Sequence, residues 1–218
     1  MVEHFQLQYE SDDHAKYYSQ KHDSTARRRM SNFFERAMIE RSLRRVWRTR
    51  RFETALDLPS GTGRFLPVLA RFKARMMAMD SAFPMLRESR HWDETLGSTP
   101  GRVTASVFEI PLRDHSVDLV LCARLLHHFS DDESRAKLFR ELARVARVGV
   151  VVSFFDASSY YAWKRRRKIE RTGRESGRHS ITRAECRRFA EAAGLRLLGM
   201  NAILRFHSEI TSAAFAVR

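Results

Sequence analysis

Cysteine is nearly absent: Cys122 and Cys186 are the two in 218 residues. They fall in segments that read as a strand and a helix, with no metal-ligand spacing around them. A disulfide scaffold or a cysteine-built metal site is therefore not expected. Long apolar runs are missing as well. Nothing approaches the ~18 residues of a membrane-spanning helix, and the longest run, Val148 to Phe155, has strand length. The opening residues, Met-Val-Glu-His-Phe-Gln, lack the basic start and apolar core of a secretory signal. No internal repeat or low-complexity linker occurs, and a reducing cytoplasm is the expected compartment. Acids are scarce, with 26 Asp and Glu against 40 Lys and Arg, a formal charge of +14. A field of that sign attracts phosphates, anionic lipid surfaces and acidic substrates. It brings nucleic acid into consideration without establishing it, because an arginine-rich surface alone gives the same sum.

Residues 1–24 are polar yet carry Phe5, Tyr9, Tyr17 and Tyr18, the composition of a lid rather than a core. From Ala26 to Arg51, Met30, Phe33, Phe34, Ala37, Met38, Val46 and Trp47 recur at steps of three and four, a helical pattern with arginines on the other faces. Residues 1–52 are thus expected to form an N-terminal helical arm and 53–218 the main domain. There the period changes. Thr54–Leu58 reads as a buried strand, followed by a helix from Arg64 to about Lys73. Arg75–Asp80 is a second strand, with Ser81 placed to cap the next helix. Val103–Val107 and Val117–Cys122 read as strands three and four. Ser130 and Glu133 have capping-box spacing. Val148–Phe154 is apolar enough for a strand covered on both faces. Thr182 and Glu185 open another boxed helix, and Leu195–Ile203 and Ile210–Val217 read as a final pair of strands. This alternation predicts an α/β, Rossmann-like fold: a seven-stranded, mostly parallel sheet with helices on both faces. Ligands then sit at the carboxyl ends of the strands, where the strand order reverses.

The sharpest local feature is Asp57-Leu-Pro-Ser-Gly61-Thr-Gly63-Arg-Phe65, between a strand and a helix. Glycines there let the backbone turn tightly and a ligand approach. The helix amino terminus adds free N–H groups and a positive dipole end. Asp80 ends the next strand, ~20 residues on, where a carboxylate can accept from ribose hydroxyls. A glycine pair alone also fits an ordinary strand-to-helix turn; its conjunction with Asp57, Asp80 and the strand order points to a nucleoside ligand. A nicotinamide dinucleotide is disfavoured, since its fingerprint needs a small residue three positions after the second glycine, where Leu66 stands.

These residues resemble the class I methyltransferases that use S-adenosylmethionine, especially the small-molecule branch that includes the ubiquinone and menaquinone methyltransferases. The resemblance spans roughly residues 53 to 217. Ala55 to Phe65 is similar to that family's first motif and Met79-Asp-Ser-Ala-Phe-Pro-Met-Leu86 to its second. Phe108-Glu-Ile-Pro-Leu112 with Ser116-Val-Asp-Leu-Val120 resembles the third and fourth, and Leu125-Leu-His-His-Phe129 a recurrent segment after strand four. The resemblance implies that Asp57, Gly61 and Gly63 hold the methionine half of the cofactor and that Asp80 binds the ribose. It places Ser81 and Met85 near the adenosine, Val107 and Phe108 beside adenine, and Cys122 and Ala123 along the methionine. Two positions depart from the family. Pro59 stands where glycine is usual, which removes one backbone N–H. Ser106 stands where an aspartate often accepts from the adenine amino group. Both departures are expected to tune affinity rather than abolish binding.

Methyl transfer from a sulfonium is an in-line displacement in which the cofactor brings the activated methyl and the protein supplies proximity and alignment. A base is needed only for a hydroxyl or acidic-carbon acceptor. His127 and His128, after strand four, are the candidates. His128 would deprotonate or position the acceptor; alternatively one ring packs under the cofactor loop and the other binds a backbone group near Ser130. Tyr17 and Tyr18 would close the pocket or contact the acceptor, or simply pack on the surface. The basic run Lys164–Lys168, continued by Arg171, Arg174 and Arg178, reads either as a cradle for an anionic acceptor or as a solvated helix face. The expected protein is an S-adenosylmethionine-dependent methyltransferase of a small-molecule or lipid-linked, anionic acceptor, with no metal. Two alternatives stand. An RNA methyltransferase is favoured by the charge but lacks the Asn/Asp-Pro-Pro-Tyr/Phe motif and the catalytic-cysteine motif. A non-catalytic methyltransferase-fold partner protein is opposed by the intact Asp57, Gly61, Gly63 and Asp80.

Overall fold

The alternating apolar runs assemble into one sheet of seven strands. They are β1 (Thr54–Asp57), β2 (Arg75–Asp80), β3 (Gly101–Thr104), β4 (Val117–Cys122), β5 (Ala146–Phe155), β6 (Leu195–Ala202) and β7 (Ile210–Val217), in the order β3-β2-β1-β4-β5-β7-β6. Strands β1 to β5 run parallel, and β7 is antiparallel to both β5 and β6. The order reverses between β1 and β4. From β1 the chain moves outward through β2 and β3, then crosses back to β1's other side. Connections leaving the carboxyl ends of β1 and β4 therefore diverge, which opens a crevice there. The computed structural model describes residues 25–173, 177–203 and 208–218; Tyr17, Tyr18 and Arg174 lie outside them.

The helices are α1 (Ala26–Thr49), α2 (Leu66–Ala70), α3 (Phe83–Glu88), α4 (Asp93–Leu96), α5 (Asp132–Val145), α6 (Tyr160–Thr172) and α7 (Arg183–Ala192). They cover the sheet on both faces. On one, Ile39, Leu43 and Val46 of α1 and Leu66 and Leu69 of α2 pack against Ala78, Leu119, Val151 and Ala214. On the other, Leu138, Phe139 and Leu142 of α5 and Phe189 of α7 pack against Leu56, Val120, Val150 and Phe215. Eight consecutive residues of β5, Val148–Phe155, are buried, as a strand covered on both faces requires. Where α1 crosses β6 and β7 the buried Ser42 hydroxyl accepts from Asn201 Nδ2 (2.9 Å) and Ser212 Oγ (2.8 Å), so these interior polar groups are paired.

Several expected boundaries shift for local reasons. The helix after the glycine turn is confined to Leu66–Ala70, starting at Leu66 rather than Arg64 with Pro67 in its first turn, and with tight turns on either side. The third strand is Gly101–Thr104, not Val103–Val107, because after Ala105 N–H donates to Asp80 O (3.1 Å) the chain turns on Ser106. Ser81 does not cap α3. The cap is Ala82, whose N–H donates to Asp80 Oδ1 (3.0 Å). Asp131, not Ser130, caps α5 by accepting from Ser134 N–H (2.7 Å). The Thr182–Glu185 capping box is present as read.

Helix α1 lies so close to the sheet that a Cβ on Gly149 would stand 2.5 Å from Phe215 O and 2.7 Å from Val46 Cγ1. Gly149→Ala is expected to destabilise the protein by roughly 1–3 kcal/mol through overpacking, read as a lowered midpoint in urea unfolding with an unchanged slope.

Candidate active site

Asp57 ends β1 fully buried. Its Oδ2 accepts from Ser60 Oγ (3.0 Å), while Oδ1 is buried without a hydrogen-bond partner. Burial pushes this carboxyl up to about 7; the Ser60 bond opposes the rise and the charge of Asp80 adds to it. The turn that follows is tied to both neighbouring strands. Leu58 N–H donates to Leu121 O (2.9 Å) and Ser60 N–H to Met79 O (2.8 Å). Gly61 (φ +54°) and Gly63 (φ +75°) take the left-handed conformation that side chains resist. Beyond that they do different work. A Cβ on Gly61 would meet only Met85 Cε, at 3.5 Å, so this backbone is open to a ligand. A Cβ on Gly63 would strike Leu66 Cδ1 (2.8 Å) and Trp92 Cδ1 (2.9 Å), so this glycine lets the turn pack on its own helix and on Trp92. The Trp92 indole N–H donates to Thr62 O (3.1 Å).

Asp80 sits across the crevice floor at the end of β2. Its Oδ2 accepts from Gly61 N–H (2.8 Å) and its Oδ1 from Ala82 N–H (3.0 Å). Burial raises its pKa, with these backbone bonds opposing. Each carboxylate oxygen keeps accepting capacity for a further donor. Met85 is buried beneath Gly61, whereas Ser81 is exposed. Val107 and Phe108 lie half-buried in the turn after β3, where Ser106 Oγ accepts from Phe108 N–H (3.2 Å). Arg144 steadies that turn by donating to Ile110 O (2.9 Å) and Leu112 O (2.8 Å). Cys122 and Ala123 are buried at the end of β4, one residue past the Asp57–Leu121 register pair. Burial, with the Asp57 charge, pushes the Cys122 thiol far up, so it stays a neutral, buried group.

His127 is buried and stacked on Phe155 (centroids 4.2 Å, planes 12° apart); its Nδ1 has no partner. Burial, then the charges of His128 and Arg124, lower its pKa to about 2. The His128 ring lies 3.9 Å from it, partly exposed, and is lowered to about 4 by burial and by Arg124 and Arg178. Both imidazoles are neutral at physiological pH. His127 is packed as an aromatic plate, and His128 is the ring that solvent reaches. The basic run expected between β5 and the next helix is itself helix α6, with Lys164, Arg166, Arg167 and Lys168 exposed.

The sequence reading missed the group that docks α1 on the glycine turn. Arg64 donates from Nε to Asn32 Oδ1 (2.7 Å) and from Nη2 to Glu35 Oε2 (2.6 Å), all three residues being buried. Arg124 Nη1 lies 3.5 Å from the same Glu35 oxygen. The available signal was Asn32 and Glu35 at helical spacing on the stripe that carries Met38 and Ile39. Among the described residues, no group of three or more His, Cys, Asp or Glu is arranged to hold a metal ion.

Comparison with known proteins places this geometry. Residues 56–154 match the family model described as a methyltransferase domain. An uncharacterized methyltransferase-like protein of Schizosaccharomyces pombe is 35% identical over 97 residues, 44% of this chain and 36% of its own. A second uncharacterized methyltransferase of that organism is 28% identical over 106 residues, 48% of this chain and 41% of its own, so the chain spans well under half the length of these curated relatives. Among solved structures, an S-adenosylmethionine-dependent methyltransferase from Clostridium acetobutylicum superposes with a TM-score of 0.67 at 13% identity, covering 93% of this chain and 98% of that one. Magnesium protoporphyrin IX methyltransferase from Synechocystis PCC 6803, with bound SAH, gives 0.66 at 17% identity, covering 85% and 84%. The fold is that of the class I, S-adenosylmethionine-dependent methyltransferases, and residues 56–154 are the part that matches the methyltransferase-domain model.

The Asp57 carboxyl carries a pH signature. Its pKa rises from 3.8 to about 7 on folding. Between those values the folded chain holds a proton that the unfolded chain has lost, so this group's contribution to stability is present at low pH and fades as pH rises through the window. The ligand-free Asp57→Asn variant is expected to be more stable than the parent at about pH 8, by up to ~4 kcal/mol, with the gain vanishing near pH 4. Denaturant titrations at the two pH values check it.

Proposed function

We propose that this chain transfers the methyl group of S-adenosylmethionine to a small-molecule or lipid-linked acceptor. The supporting observation is Asp57: a fully buried carboxylate with one oxygen unpartnered, beside a left-handed glycine turn whose open face a ligand can reach. An isolated buried charge is costly unless a counter-charge joins it, and the fold of this family binds a cationic sulfonium amino acid there. The residues present fit that group. Asp57 would accept from its ammonium, Gly61 would admit it against bare backbone, and Asp80, already fixed by two N–H donors, would accept from the ribose hydroxyls. Val107 and Phe108 would flank the base, and Cys122 and Ala123 would wall the methionine chain. The cofactor supplies an activated methyl; the chain's part is to align an acceptor and exclude water. His128, neutral and partly exposed, would hold or accept the acceptor's proton.

Helix α6 supports an acceptor presented at a lipid surface. Tyr160, Tyr161 and Trp163 are 45–47% exposed at its start, immediately before Lys164–Lys168. Exposed aromatic rings beside lysines and arginines suit a headgroup layer. No helix among the described residues is long and apolar enough to cross a membrane.

Titration of the folded protein with S-adenosylmethionine or its demethylated product should release measurable heat. Asp80→Ala should weaken that binding by more than ~1 kcal/mol; equal affinity would remove the ribose role, and no binding by the parent would overturn the proposal. In sedimentation with vesicles containing phosphatidylglycerol, the parent should pellet at low salt and Trp163→Ala/Tyr160→Ala should stay largely in the supernatant. Neutral phosphatidylcholine vesicles should pellet neither.

A further inference from the structure

The carboxyl ends of β4 and β5 carry a second constellation beside the cofactor turn. Phe155, the last residue of β5, is buried, and the guanidinium carbons of Arg124, Arg165 and Arg178 lie 6.0, 5.7 and 5.9 Å from its ring centroid. The three come from separate segments: the turn after β4, helix α6, and the stretch before α7. His127 stacks on a face of the same ring, with the His128 ring 3.9 Å from His127. A ring face attracts a cation, and three guanidinium groups gather around this one ring, with Glu209 beside Arg165 and Glu35 3.5 Å from Arg124.

The arginines are held in place. Arg124 has φ +62°, a conformation that is strained for a side-chain-bearing residue, and its N–H donates to Ser153 Oγ (2.8 Å). Arg165 donates to Ser180 Oγ (2.7 Å) and pairs with Glu209. Arg124 Nη1 lies 3.5 Å from Glu35 Oε2, the oxygen that Arg64 binds at 2.6 Å. Arg64 directly follows Gly63, so the cluster adjoins the cofactor turn through Glu35. After burial, the charges of Arg124 and Arg178 lower the pKa of both His127 and His128, and Arg165 that of His127.

We propose that Arg124, Arg165 and Arg178 form an oxyanion site that receives a carboxylate or phosphate group of the methyl acceptor and orients it beside His128. Guanidinium forks match both groups bidentately. The inference rests on the methyltransferase reading for its purpose, but its binding step can be measured separately.

The test uses inorganic phosphate and benzoate as probes, titrated against chloride at constant ionic strength, which screens non-specific attraction equally. Binding is followed by amide and imidazole NMR shifts, with and without the demethylated cofactor. One probe should bind saturably and move the His128 signals. Arg178→Gln and Arg124→Gln should each weaken it about tenfold, and Arg187→Gln, on the outer face of α7, should leave it unchanged. Arg178 is exposed, so its variant keeps the test open if Arg124→Gln fails to fold. Preference for phosphate or for benzoate tells which group the acceptor carries. Non-saturable shifts with both probes, or equal affinity in Arg178→Gln and the parent, would overturn the site. Cofactor heat is read in the same samples, so loss of cofactor binding with retained anion binding would overturn only the methyltransferase reading.

Discussion

The bond from Gly61 N–H to Asp80 Oδ2 ties the ends of β1 and β2 into one rigid floor. It holds a left-handed turn in place, aims the Asp80 carboxylate, and leaves the Gly61 backbone bare. Asp57 can remain buried and half-partnered because this frame does not relax around it. Its Oδ1 is buried without a hydrogen-bond partner, and burial raises the pKa of the carboxyl because a buried charge is costly. On the proposed function, stability of the empty protein and affinity for a cationic cofactor would be opposed at this one carboxyl group.

Charge is the second organising theme. A formal +14 suggests a surface built for polyanions, yet many arginines act as internal fasteners. Arg64 joins α1 to the glycine turn through Asn32 and Glu35. Arg144 clamps the turn that carries Val107 and Phe108 to α5. Arg102 spans Ser89 and Asp93, and Arg147 pairs with Asp118, whose other oxygen accepts from Glu53 and Thr54 at the start of β1. A guanidinium has five donors in a planar fork, so one side chain can satisfy several carbonyls and carboxylates at once. Exposed arginines line α1, and near the strand ends positive charge lies at two further places: helix α6 and the arginines around Phe155. They lie on the same side of the sheet's carboxyl edge as the candidate site, since α6 follows β5 directly.

The two histidines after β4 illustrate how environment divides similar residues. His127 is an unpaired plate on Phe155, far from its ordinary pKa, whereas His128 keeps contact with solvent. Adjacent positions in the chain thus meet unlike surroundings, and of the two rings the less buried one contacts solvent.

Much of the fold was legible because strand and helix periods are local properties. β2 and β4 have the bounds that their apolar runs imply, and the Thr182–Glu185 box appears as its spacing requires. Boundaries failed where a neighbouring side chain competed for the backbone: Asp80 displaced Ser81 as the helix-start acceptor, and Ser106 turned the chain before a longer β3 could form. The roles of the two glycines were also beyond local reading, because Trp92 and Ser89, which fill the space at Gly63, arrive from another segment. By itself the sequence determined the alternation of elements, the order of the motifs and hence the crevice at the strand ends, since these follow from hydrophobic period and turn chemistry. Tertiary structure alone decided which carboxylate stays unpartnered, which histidine meets solvent, and that Arg124, Arg165 and Arg178 converge on one ring, because burial and charge proximity are set by residues that neighbour each other only after folding.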